Sequence, residues 1–201
     1  MCMKERFPPV PKKIKDIELI LTGVKIAVNG RNVVYISLPI TTGKRFLGWR
    51  ADFGVNLEIS DCAYLREHQK HVVAPNRENV QRIMKVIEKK VGRDIISPTL
   101  LEDLPGWRQD DYRAFWARVL KDCVNMVVFA EGWEYSNGCA YEFLIATQVG
   151  IRRVDEHLRP LTLDQGIRKI TKAIQEMQRC NITAEFLKSV RKRLIYRLRT
   201  K

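Results

Sequence analysis

Several common signatures are missing from this chain, and each absence removes a class of function. There is no Cys-x-x-Cys pair: the five cysteines, Cys2, Cys62, Cys123, Cys139 and Cys180, are odd in number and scattered. That spacing signals neither a zinc site nor a disulfide framework, and Cys123 and Cys139 are expected to be small buried packing residues. There is no apolar run long enough to span a bilayer. Met1-Cys2-Met3-Lys4 opens no apolar signal-peptide segment. A cytoplasmic protein without membrane contact is expected. Histidine is scarce, with three residues. His68 and His71 stand at i, i+3 but lack a third ligand at matching spacing, so they read as surface histidines and no metal is expected. No glycine–lysine spacing of the Walker type is present. No internal repeat or low-complexity tract is present either, which argues against solenoids and long linkers.

Acid is in deficit. Lys and Arg number 36 against 23 Asp and Glu, for a net charge of +13 over 201 residues. Such a charge implies either a solvated basic surface or attraction to polyanions and phosphorylated ligands, and by itself it specifies no fold. The length suits one domain, or one domain with a helical extension, and the 45% hydrophobic content can supply a core.

In chain order, Met1–Lys12 reads as a tail broken by Pro8, Pro9 and Pro11. Lys13–Val28 carries Ile14, Ile17, Ile20, Leu21 and Val24 at near-helical spacing. Val33–Leu38 is a strand ended by Pro39. The segment from Pro39 to Trp49 reads as a loop. Its Thr41, Thr42, Gly43, Lys44 and Arg45 supply hydroxyls, a glycine and two cations, a set suited to a phosphate or a sugar. Asp61–Gln69 is a candidate helix. Asn79–Val91 is an amphipathic helix with Val80, Ile83, Met84, Ile87 and Val91 in one stripe, Asn76 or Asn79 as cap and Gly92 as stop. Ile95-Ile96 forms a short strand, and Gln109–Lys121 a helix with Asp110 and Asp111 favourably placed at its start. Leu163–Met177 and Thr183–Arg199 are helices. The last has Lys188, Arg191, Lys192, Arg193, Arg197 and Arg199 around its apolar face, with Lys201 beyond. It suits a solvated end helix, a dimer arm or a nucleic-acid contact.

The organising stretch is Asp122–Gly150. Val124–Ala130 has the pattern of a buried parallel strand, Glu131–Asn137 of a turn, and Gly138–Val149 of a helix capped by Ser136. The carboxyl end of a strand leading into a helix is where open α/β sheets bind ligands. Glu142 lies about one turn inside that helix. Gly138, four residues earlier on the same face, leaves space for a ligand to reach it.

The string Gly132-Trp133-Glu134-Tyr135-Ser136-Asn137-Gly138-Cys139-Ala140-Tyr141-Glu142, with Ala146 and Gly150 beyond it, resembles the GW-x-x-S-x-G-x-x-x-E signature of the nucleoside 2-deoxyribosyltransferase-like superfamily. Tyr35-Ile36-Ser37-Leu38-Pro39-Ile40-Thr41-Thr42-Gly43 is similar to the opening strand and loop of the same branch. The likeness runs from about Val33 to Gly150. It implies an α/β fold with a Rossmann-like (flavodoxin-like) parallel sheet flanked by helices. The expected organisation is an N-terminal extension (1–32), the α/β domain (33–155) and a basic helical C-terminal extension (156–201).

The resemblance further implies cleavage or exchange at a C1′–N glycosidic bond of a nucleoside or nucleotide, through an oxocarbenium-like state that Glu142 stabilises or traps. Asp111 and Asp110 are the candidate acids. Relatives place a carboxylate further along that helix, where this chain has Ala114. Tyr35, Trp133 and Tyr135 are expected to stack the base. Ser37, Pro39, Thr41, Thr42, Gly43, Arg45, Ser136 and Gly138 complete the expected substrate site. No cofactor is implied, and a homodimer is expected. Two other readings stay open: a non-catalytic nucleotide or nucleic-acid binding module using the basic last helix, and a glycosidase acting on bases flipped out of a polynucleotide.

Overall fold

The computed structural model describes residues 12–30, 32–52, 62–101 and 104–200, with side chains from Asp16 onward. The proline-broken tail before Lys12 and the end residue Lys201 lie outside the described residues, as do 53–61 and 102–103 in the two middle segments.

Among the described residues, four strands form one parallel sheet in the order β2–β1–β3–β4: β1 (Val33–Ser37), β2 (Ile95–Ile96), β3 (Val124–Phe129) and β4 (Arg152–Asp155). β1 is buried throughout and β3 is buried except at Asn125, as continuous apolar runs covered on both faces require. This is a Rossmann-like fold with the flavodoxin-like strand order. Alternation along the strands feeds two cores. Val34 and Ile36 of β1, with Met126 and Val128 of β3, meet Val80, Ile83 and Ile87 of α4 (Ala74–Val91). Tyr35, Val127 and Phe129 face the other way, into a larger core.

That larger core is built by α1 (Lys12–Val28), α5 (Gln109–Cys123), α6 (Asn137–Val149), α7 (Leu163–Arg179) and α8 (Glu185–Arg199). Both terminal extensions contribute to it. Leu21 of α1 is buried and Ile17, Ile20 and Val24 pack beside it. Ile170 and Ile174 of α7 enter the same cluster as Leu187, Val190 and Leu194 of α8. Each such fully buried side chain contributes about 1.5–3 kcal/mol. The segments read as extensions are therefore cover for one face of the sheet. Lys25–Asp122 at 2.7 Å and a Glu18–Arg118 pair also tie α1 to α5.

Two segments differ from expectation. Lys44–Asp52, read as part of a loop, is a helix, α2. Gly43 lets the chain turn into it at φ +95, a conformation only glycine adopts without strain. The middle amphipathic helix begins earlier than Asn79. A short helix α3 (Cys62–His68) runs through a wide turn, Gln69–Val73, straight into α4, whose first turn accommodates Pro75.

Candidate active site

The direction of winding reverses between β1 and β3. α4, which follows β1, covers one face, and α6, which follows β3, covers the other. The crevice outside the carboxyl ends of these two strands is where such sheets take ligands. Two backbone segments form its walls, the loop from Leu38 to Gly43 and the turn from Ala130 to Ser136. They are joined by a hydrogen bond from the Ala130 amide to the Ser37 carbonyl, 3.0 Å.

Tyr35 and Ser37 are two residues apart on β1, so they share a face, the one α6 covers. Glu142 of α6 meets both. The Tyr35 hydroxyl donates to Glu142 Oε1 at 2.7 Å, and the Ser37 hydroxyl donates to Oε2 at 2.6 Å. Tyr35 and Ser37 are fully buried and Glu142 is 7% exposed. Burial raises the Glu142 carboxyl to about 7, even though the hydroxyls of Ser37 and Tyr35 pull it down by favouring the anion. The Tyr35 phenol is pushed well up by burial and by the carboxylate beside it, so it stays a donor. Cys139 is held as a thiol by burial and by the nearby Glu142, opposed by the Ser136 and Ser37 hydroxyls.

α6 starts as its sequence indicates. The Ser136 hydroxyl accepts from the Cys139 amide, and the helix ends at Gly150 in the left-handed conformation. A side chain at Gly138 would meet only the Ser136 hydroxyl, 3.8 Å away, so there is space beside the cap one turn before Glu142.

The loop after β1 is held from behind by a residue the sequence reading used only as a helix cap. Asn76 of α4, 9% exposed, donates to the carbonyls of Ile40 (3.0 Å) and Thr42 (3.2 Å) and accepts from Arg45 Nε (3.2 Å). No local pattern announces bonds to carbonyls 34 and 36 residues away. Pro39 is buried under Gly43, where any side chain would lie 2.6 Å from the proline ring. Thr41 is exposed, Thr42 half-buried and Arg45 exposed.

His68 belongs to this wall too, and the surface reading is corrected for it. It bonds the Thr41 carbonyl at 2.8 Å and sits among Phe46, Trp49 and Tyr64. His71 is exposed beside Glu67. Among the described residues no three His, Cys, Asp or Glu side chains converge as metal ligands.

The expected base-stacking aromatics are corrected. Trp133 is 2% exposed, with Phe129 at 5.0 Å and Phe143 stacked on it at 4.7 Å. The short helical turn Trp133–Tyr135 folds it onto the sheet. Tyr135, 7% exposed, bonds Glu176 of α7. The Tyr35 ring lies edge-on to Trp116. All three rings are spent on packing, which favours large apolar faces in the core, and only the Tyr35 hydroxyl reaches the site.

Asp110 and Asp111 serve the start of α5. Asp110 pairs with Arg113, and Asp111 accepts from the Arg108 amide at 2.8 Å. The groups acting on Glu142 are the Ser37 and Tyr35 hydroxyls, not these aspartates. Ala114 lies on the exposed side of α5. At the opposite, amino end of the strands an open cleft of about 630 Å³ is lined by Asn32, Glu88, Val91, Gly92, Arg93 and Asp94. We place the site at the carboxyl end, where the buried carboxyl is. No protein-family model, curated protein or solved structure matches the chain.

Proposed function

We propose that this protein breaks the C1′–N glycosidic bond of a nucleoside or nucleotide, with Glu142 as the nucleophile. The observation that carries the reading is the Glu142 carboxyl itself, buried at the β1–β3 switch point and gripped by the hydroxyls of Tyr35 and Ser37. The sugar becomes positively charged as the bond breaks. A fixed carboxylate in a water-poor site stabilises that charge more than one in bulk water does.

In the scheme, a Glu142 oxygen forms a bond to C1′ as the C1′–N bond breaks. The bonding pair leaves on the base nitrogen, which takes a proton from solvent, because Asp110 and Asp111 are engaged at the α5 start. Water then attacks C1′, loses a proton to solution and restores the carboxylate. A second base in place of water gives transfer. Tyr35 and Ser37 hold the two oxygens so that one lone pair stays aimed at the sugar. Glu142 must be ionised to attack, so turnover rises as pH passes about 7.

The test is release of free base from nucleosides, 5′-nucleotides and single-stranded DNA by wild type and Glu142→Gln. Release from the monomers is expected, falling by about a thousandfold or more in the variant, the scale on which losing a nucleophile acts. Release from DNA alone moves the substrate to the polynucleotide. Binding that weakens with salt, with no release from any substrate, refutes the enzyme reading.

A further inference from the structure

We infer that Asn76 is a positioning residue that turns the loop after β1 into a seat for a phosphate, so that the preferred substrate is a nucleoside 5′-monophosphate. The inference rests on the glycosidic reading of the site and narrows its substrate class.

Asn76 satisfies three partners from one buried position on α4: the carbonyls of Ile40 and Thr42, and Arg45 Nε. A carbonyl oxygen facing an anion repels it, and these two carbonyls are turned away into the Asn76 amide. Every peptide here is trans, and a trans peptide points its carbonyl and the following N–H in opposite directions. The amides of Thr41 and Gly43 are therefore directed to the side of the loop away from Asn76. Among the described residues neither amide has a hydrogen-bond partner. Two N–H groups from alternate residues form the kind of backbone concavity that takes an anion. Gly43, at φ +95 and pressed on Pro39, gives this turn its shape.

The same Asn76 fixes the one edge of the Arg45 guanidinium that carries Nε. The edge formed by the two terminal nitrogens has no partner among the described residues. Such a fork is the side chain best matched to phosphate oxygens. One amide thus governs both the backbone donors and the cation, at the same end of the sheet as Ser37 and Glu142. Asn76 itself touches no substrate and acts through the loop and Arg45.

The experiment uses the full chain carrying Glu142→Gln, so that ligand is not consumed. Its probes are the common ribo- and deoxyribonucleoside 5′-monophosphates and the matching nucleosides, titrated by calorimetry at low salt. At least one monophosphate should bind about tenfold or more tightly than its nucleoside, an advantage that shrinks with added salt. Arg45→Gln, at an exposed position, should cut that ratio about threefold or more. Asn76→Ala should bring the ratio close to one, and adding Arg45→Gln to it should change nothing further, because both act along one route. A ratio of one in the parent overturns the inference, as does an unchanged ratio in either variant. If Asn76→Ala does not fold, Arg45→Gln alone decides. A large ratio in a wild-type protein that releases no base would leave the phosphate seat standing and sink the glycosidic reading.

Discussion

The two walls of the crevice are built by different physics. On the β1 side the wall is a loop pinned by directional bonds: Asn76 to two carbonyls and Arg45, and His68 to the Thr41 carbonyl. On the β3 side the wall is packed rings, with Trp133 between Phe129 and Phe143 and the helix bearing Glu142 directly behind. Each hydrogen bond has a net value of about 1 kcal/mol, whereas a buried tryptophan carries several. The difference separates two tasks. The packed wall gives Glu142 a fixed position. The bonded wall sets the orientation of groups whose positions can be altered one contact at a time.

The largest effect is expected from Trp133→Ala. As a core ring it should cost about 3–5 kcal/mol of stability, read from the denaturant midpoint. A ring that served only to stack a base would leave the midpoint unchanged and weaken ligand binding.

Next is Glu142→Gln, with the opposite sign. The folded carboxyl titrates at about 7 against an ordinary 4.5. A raised carboxyl favours the folded state fully below its unfolded value, and that advantage is lost as pH rises through about 7. Glutamine imitates the protonated form. The variant should match wild type near pH 5 and exceed it by up to about 3 kcal/mol near pH 9, in thermal or denaturant unfolding at the two pH values. Equal stability at both would show that the carboxyl carries no burial cost.

Asn76→Ala should cost about 1–3 kcal/mol, because it leaves two loop carbonyls and Arg45 without their partner. Hydrogen exchange should rise in the Pro39–Arg45 segment and stay unchanged in β3 and α6 if the walls are independent. Tyr35→Phe has the smallest expected effect, about 0.5–1.5 kcal/mol. By removing one donor to the anion it should push the Glu142 carboxyl further above about 7, visible as an alkaline shift of its titration midpoint by ¹³C NMR.

What the chain made readable follows the range of each interaction. Helical and strand periodicity exposed β1, β3 and α5–α8, because one face of each is buried and apolar residues recur at the matching interval. The Ser136 cap and the position of Glu142 could be read because both depend on neighbours within a few residues. Asn76 and the Tyr35–Ser37–Glu142 contacts span tens to a hundred residues, and nothing local encodes them. The resemblance pointed to Tyr35 and Ser37 as site residues but not to their role as donors to the carboxylate. Trp133 misled for a related reason. A glycine and a tryptophan in a turn look exposed until the sheet and Phe143 are in place to cover the ring. α2 was hidden by its polarity, because its cations suggest solvent while Trp49 alone among its residues is buried.

The most direct test is a pH titration of the glutamate carboxyl carbons by ¹³C NMR in wild type and Glu142→Gln. One resonance with a midpoint near 7 is expected, and it should disappear in the variant. If every glutamate titrates in the ordinary carboxylate range, Glu142 is not the buried, hydroxyl-gripped group on which the proposed chemistry depends.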